Sequence, residues 1–225
     1  MSLLLEPYTL RQLQLPNRIA VSPMCQYSSV DGPANDRHLV HPGSRAVGGA
    51  GLIFTEATAV TADGRITPQD LGLWNDEQIA PLQRITRFIT AQGAVPAIQL
   101  AHAGRKASTW RPWLGKHGNV PAEEGGWQPW GPSAIAFDPE HVAPQPLSPD
   151  QINDVIDAFV ASTRRALAAG FKVVEVHAAH GYLLHQFLSP LSNRRNDRYG
   201  GSFENRIRLV CQVTEAVREV WPAEL

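Results

Sequence analysis

The chain is short of cysteine, of net charge and of long apolar runs, and each shortage removes a class of explanation. Cys25 and Cys211 are its only cysteines, too few for a disulfide scaffold or a four-thiolate metal site, so a reducing cytoplasm is the expected setting. Lys plus Arg number 20 against 21 Asp plus Glu, a formal net charge of −1. That balance offers no basic footprint for nucleic acid and no polybasic patch for a membrane surface. No apolar run approaches the ~18 residues a membrane span needs. The opening MSLLLEPYTL lacks a basic flank, has too short an apolar run and carries an early Glu6, so it does not read as a secretory signal. Internal repeats and low-complexity tracts are also missing.

What is there describes an ordinary globular protein: 43% hydrophobic and 18% charged residues in a chain of 225. Strand-like and helix-like segments alternate, which argues for parallel βαβ units. After a small hairpin within Leu3–Leu15, strands are expected at Ile19–Met24, Leu52–Ala59, Val95–Leu100 and from Lys172. Helices are expected over Asp36–Val47 (interrupted by Pro42), from about Asp76 to Gln92, after Ser148, and from Phe203 to about Val220. Asn75 suits an N-cap, and Ile79, Leu82, Ile85 and Phe88–Ile89 form the buried stripe that follows it. Ser148-Pro149-Asp150-Gln151 supplies a cap, a proline at the first helical position and a capping-box glutamine. Between the third strand and that helix, about 102–147, runs a Pro-, Gly- and Trp-rich stretch without helical period. A loop of that length in a compact domain is usually a lid or binding loop. Trp110, Trp113, Trp127 and Trp130 either roof a pocket or pack the loop down.

The stretch Lys172–Leu183, KVVEVHAAHGYL, gathers the chemistry. Val173, Val174 and Val176 suit a strand packed on both faces. Alternation puts Val173, Glu175 and His177 on one face, and His180 and Tyr182 follow where Gly181 begins a loop. Two imidazoles and a phenol thus crown the C-terminal end of a parallel strand, where α/β enzymes place their sites. Gln99, Cys25 and Tyr27 end neighbouring strands. Such a cluster can donate hydrogen bonds to a developing oxyanion and pass a proton, and a hydrogen-bonded core cluster is the bland alternative.

Other chemistry has less support. The glycines of Val47–Gly51 precede a strand instead of opening a helix, so they read as a turn and not as a nucleotide loop. G-x-x-x-x-G-K-[ST] and G-x-S-x-G are absent. His38/His41 and His177/His180 are H-x-x-H pairs for which Glu56 and Glu175 could supply a third ligand, but neither pair matches a known zinc spacing, and His38 and His41 read as surface or packing groups. No metal is therefore expected, and a metal-assisted barrel hydrolase using His177 and His180 is a distant alternative. Cys25 reads as a buried thiol or as a nucleophile paired with a histidine.

Three runs together resemble the Old Yellow Enzyme family, especially its bacterial, cysteine-containing ene-reductase branch. They are Ser22-Pro23-Met24-Cys25-Gln26-Tyr27, the run Gln99 to Lys106 (QLAHAGRK), and His177-Ala178-Ala179-His180-Gly181-Tyr182-Leu183. Ser189 to Ser202 (SPLSNRRNDRYGGS), with Glu204-Asn205-Arg206, adds a further match. The resemblance implies an α/β fold, the (β/α)8 TIM-barrel type, with FMN as cofactor and NADPH or NADH as reductant. It implies reduction of activated C=C bonds in enones and nitro-activated alkenes, small molecules polarised by a carbonyl or nitro group. Ser22, Pro23, Met24, Cys25, Ala57 and Gln99 would contact the flavin, with Cys25 modulating its potential. His177 and His180 would hold the substrate oxygen, and Tyr27 would line the pocket. Tyr182 would protonate Cα after flavin N5 delivers hydride to Cβ. Arg105 and Lys106 in the lid either meet a cofactor phosphate or are solvated.

Four βα units are counted where a barrel needs eight. Residues 1–225 are thus expected to be the N-terminal part of a single FMN-binding barrel domain with its lid. A homo-oligomer, or pairing with a C-terminal half, is the expected assembly. A half-barrel that is catalytically silent until so completed is the alternative of a different class, and weak or no FMN binding is expected of the isolated chain.

Overall fold

The computed structural model describes residues 2–225. β1 (Tyr8–Leu10) and β2 (Leu13–Leu15) form an antiparallel hairpin. Then come β3 (Ala20–Val21), α1 (Asp36–Val47), β4 (Leu52–Ala59), α2 (Ile79–Ala91) and β5 (Val95–Ala101). After the long excursion, which holds β6 (Trp130–Gly131) and β7 (Gln145–Pro146), follow α3 (Pro149–Ala168), β8 (Val173–Val176), α4 (Leu183–Leu188) and α5 (Phe203–Val220). The main sheet runs β3-β4-β5-β8 and is parallel throughout. Strands laid side by side in chain order, each pair joined through a helix, follow the barrel pattern. A doubly wound sheet would reverse its order at a switch point.

Local sequence explains the helix starts. Asn35 with His38, Asn75 with Gln78 and Ser148 with Gln151 each close a capping box, and the Ser202 side chain accepts from Asn205 N. Gly170, at φ +91, ends α3 in the left-handed conformation that glycine adopts cheaply. Behind the sheet, Ile53, Leu82, Ile85, Ile89, Ile98 and Phe159 are essentially inaccessible. Burying each contributes roughly 1.5–3 kcal/mol before chain entropy is charged against it.

Five expectations change. The first core strand is regular only at Ala20–Val21, because Pro23 has no N–H to give a ladder. Pro42 does not interrupt α1, which runs unbroken past it from its capping box. The second helix begins as a 3-10 turn at Asp76–Gln78 before α2 takes over. Its Phe88 is 37% exposed, resting on α1 at Gly43, where even a Cβ would lie 3.0 Å from the ring. Finally, β8 is half-buried along its length while every residue of β5 is buried. β8 has a neighbour on one edge only, and along it lies a cavity of about 470 Å³ lined by Val173, Val176, Leu13, Val217 and Trp221.

The excursion after β5 is stapled, not loose. Trp127 Nε1 donates to the Asp63 carbonyl and Trp130 Nε1 to Asp63 Oδ2, both at 2.8 Å. Trp110 lies beneath Lys116, 3.7 Å from ring centroid to Nζ. Trp113 alone faces outward, 61% exposed, with its ring edge-on to Tyr27 at 5.6 Å. Packing therefore accounts for Trp127 and Trp130, while Trp113 meets Tyr27 and is otherwise exposed. Among the described residues no helix is long and apolar enough to cross a membrane.

Candidate active site

Past Val176 the chain stays tied to β5: His177 N donates to Leu100 O and Leu183 N to His102 O, each at 2.9 Å. Between those ties it turns sharply, with His180 at φ 57 and Gly181 at φ 76. A non-glycine residue in the left-handed region is uncommon and here sits at the centre of the cluster. The turn folds three side chains onto one another. The His177 and His180 rings meet edge-on at 5.1 Å, the His177 and Tyr182 rings at 5.0 Å. His180 Nδ1 lies 3.4 Å from His177 Nε2.

The tautomers follow from the backbone. His177 Nδ1 accepts from Ala179 N at 3.3 Å, which leaves its proton on Nε2, towards His180 Nδ1, and so places the His180 proton on Nε2. Burial, with the His180 and Lys106 charges next, lowers the His177 pKa to about 4, so this imidazole is neutral at physiological pH. Burial raises the Tyr182 phenol above its usual range, with Cys25 and Asp70 adding to it. Tyr182 therefore keeps its proton.

Lys106 is half-buried and tied to the site. Its Nζ donates to His180 O at 3.0 Å and lies over the Tyr182 and Phe137 rings, 5.1 and 4.6 Å from their centroids. Arg105 donates to the carbonyls of Ile135 and Ala136. Gln186, 1% exposed, clamps the two loops. It donates to Ala103 O at 3.0 Å and Gly181 O at 2.7 Å, and it accepts from Arg105 N at 3.1 Å.

The opposite wall is the segment after β3. Burial, then the Asp70 and Glu56 charges, pushes the Cys25 thiol up to about 12, against a hydrogen bond with Tyr27. A thiol so disposed is a poor nucleophile at neutral pH, which favours the buried-thiol reading of Cys25 over the nucleophilic one. Tyr27 sits at φ 46, and burial raises its phenol too. Asp70, 2% exposed, accepts from Ile66 N, Thr67 N and Thr67 Oγ1, and burial still lifts its pKa to about 7.

Ser22, Pro23, Met24, Cys25, Ala57 and Gln99 lie at the C-terminal ends of adjacent strands. Ala57 pairs in register with Gln99, and Gln99 with Glu175. These residues fit a flat, partly polar ring. Ala57 projects nothing beyond Cβ, Met24 is left 48% exposed at the rim, and the Gln99 amide is oriented by its bond to Glu175 Oε1 at 2.5 Å. Among the described residues no three His, Cys, Asp or Glu side chains gather as metal ligands.

Sequence reasoning passed over Gln186 and Asp70, and it weighed Lys106, Glu56 and His38 only for other roles. Only QLAHAGRK carried a signal for one of them. The rest depend on which loops the fold brings together.

The model of the NADH:flavin oxidoreductase / NADH oxidase family matches residues 3–224. An NADH:flavin oxidoreductase of Gibberella zeae is 51% identical over 215 residues, which make up 94% of this chain and 52% of that protein. An NADPH dehydrogenase of Bacillus licheniformis is 48% identical over 224 residues, 99% of this chain and 61% of its own length. Among solved structures, morphinone reductase superposes with a TM-score of 0.84 at 34% identity, over 98% of this chain and 60% of that one. Old Yellow Enzyme from a Pichia species gives 0.85 at 30% identity, over 99% and 57%. The chain thus spans between half and two thirds of the length of these relatives, and its α/β architecture is that part of their (β/α)8 barrel.

Proposed function

Since the chain belongs to the NADH:flavin oxidoreductase / NADH oxidase family, that of Old Yellow Enzyme, whose members carry FMN and draw on a nicotinamide reductant, we propose that the end of β8 is the substrate site of an ene-reductase acting on activated C=C bonds. The observation that carries this reading is the convergence of a neutral His177, His180 and a protonated Tyr182 within one turn.

FMN, when bound against Ser22–Cys25, Ala57 and Gln99, would accept hydride from NADPH or NADH and pass it to Cβ of the alkene. The chain's own residues do the rest. His180 presents Nε2–H, and the 3.4 Å contact between the imidazoles is long enough for a carbonyl or nitro oxygen to displace it. The oxygen then takes both N–H groups, and the charge that develops on it is stabilised. A neutral donor such as His177 suits this role, because it polarises without giving up a proton to the oxygen. Tyr182, whose burial keeps it protonated, supplies the proton to Cα. Tyr27, facing it across the site, lines the pocket, and Trp113 extends that wall from the lid. Cys25, held as a thiol, tunes the flavin without attacking substrate.

Residues 1–225 would be the N-terminal part of one FMN domain, working in the cytoplasm. The free edge of β8 favours a second element of the reading. Further barrel strands, from the same polypeptide or a second chain, would pair there, and FMN would be held firmly only once they do. Reduction is tested by anaerobic titration: the visible flavin band should bleach with NADPH or NADH and return on adding 2-cyclohexenone. A bound flavin that neither nicotinamide bleaches would end the ene-reductase reading. A stoichiometric yellow complex from residues 1–225 alone would end the completion reading.

A further inference from the structure

Two buried titratable side chains have no part in this chemistry. Glu56 is 4% exposed and His38 3%, and together they join β4 to the first turn of α1 beneath the segment that carries Cys25 and Tyr27. Glu56 owes its place to a bulge. Phe54 pairs with Ala97 but Ala57 with Gln99, so β4 advances three residues while β5 advances two, and the extra residue re-aims the local side chains. Glu56 Oε2 accepts the backbone N–H of Gln26 at 2.8 Å. Oε1 lies 2.8 Å from His38 Nε2 without the alignment of a hydrogen bond, so the two groups meet as an electrostatic contact. On the other side of the ring, His38 Nδ1 lies 3.1 Å from Asn35 N in the capping box and 3.0 Å from Asn35 Oδ1, which ties the imidazole to the start of α1.

A carboxylate is costly to bury, and a buried pair is seldom a better stabiliser than an apolar one of the same shape. Stability alone therefore does not explain it. The same turn of α1 also grips the segment by other bonds. Asn35 Nδ2 donates to Ser28 O at 2.6 Å, and Arg37 donates to Gln26 Oε1 at 3.2 and 3.3 Å. What is gripped needs holding, since Tyr27 stands in the left-handed region.

We infer that Glu56 and His38 are a positioning pair, fixing Gln26 and through it the Cys25 thiol and the Tyr27 ring at the flavin and substrate walls. The roles of those two walls rest on the ene-reductase reading; the positioning does not.

The test uses iodoacetamide alkylation of Cys25 in the purified protein without added flavin, in a Cys211→Ala background that removes the exposed thiol. Glu56→Gln keeps the shape and removes the charge. It removes both the bond to Gln26 N and a charge that raises the Cys25 pKa. Its expected rise of about tenfold in alkylation rate therefore supports the inference only alongside a rise in His38→Gln, which keeps that charge, and a rise in Glu56→Gln alone would overturn it. His38→Gln leaves Glu56 on Gln26 and should give a smaller rise, and it carries the test if Glu56→Gln does not fold. The control is Val213→Ala on α5, which opens the core elsewhere and should lower the melting temperature without changing the rate. Rates within twofold of the parent in the Glu56 and His38 variants would overturn the inference. So would an equal rise in Val213→Ala, because general loosening would then explain it. If the protein proves not to reduce alkenes, these rates still decide the positioning role.

Discussion

His102, in the loop that leaves β5, offers a measurement needing neither flavin nor substrate. It is 2% exposed, its Nδ1 accepts from Gly104 N at 3.0 Å, and burial lowers its pKa to about 4 against the opposing charge of Asp63. In the unfolded chain the same group titrates near 6.5. Between those values the unfolded state binds a proton that the native state refuses, so stability must fall as pH falls through that window. It is whole above about 6.5 and the loss is complete near 4. A gap of about 2.5 units at 1.36 kcal/mol each amounts to roughly 3 kcal/mol for this one residue. His102→Asn keeps an acceptor for Gly104 N and cannot titrate. Urea midpoints taken at intervals from pH 7 to pH 4 should show the variant less stable at pH 7, from lost packing, yet with the flatter profile. Its total loss on acidification should be smaller by roughly 3 kcal/mol. Parallel profiles would mean that His102 is protonated in the native state or accessible to water, and the burial argument would fail.

Tyr182→Phe is expected to cut alkene reduction by about 10²- to 10⁴-fold, as for loss of a general acid. Nicotinamide oxidation with a quinone acceptor, which needs no proton at carbon, should hardly change. Lys106→Met removes one of the two charges that depress His177, so the His177 ring resonances should titrate at higher pH in NMR spectra. An unmoved midpoint would show that the ammonium is not felt there. Gly104→Ala should lower thermal stability by at least about 1–2 kcal/mol, the left-handed penalty alone. Gly104 stands at φ +61 and its Cβ would run into the Gln186 amide that clamps both loops; an unchanged melting curve would refute this.

Features set by neighbours in the chain were legible, and those set by neighbours in space were not. The Ser148–Gln151 cap lies within four residues and formed as read, whereas Asn75 precedes a 3-10 turn and not α2 itself. Leu52–Ala59 was bounded correctly, but its period-2 pattern could not disclose a bulge, so Glu56 read only as a possible metal ligand and not as a partner of Gln26. Phe88 follows the helical stripe yet faces α1 at Gly43, a contact 45 residues away that no periodicity encodes. β8 read as buried on both faces because valines look alike whether one edge or both are paired. At the site, the spacing of His177, His180 and Tyr182 announced a cluster. The ammonium of Lys106 reaches it across 74 residues, and no local pattern could have placed it.

Asp63 has a consequence for how this protein can diversify. One carboxylate-bearing residue moors two indoles, Trp127 and Trp130, and further ties at Thr109, Pro132 and Ser133 hold the rest of the awning, while its outer hem, residues 112–117, stays exposed. Swapping that hem for a stranger's would leave those brackets in place and exchange only what Trp113 lays against Tyr27. New substrate tastes can therefore be tried on without re-cutting the cloth.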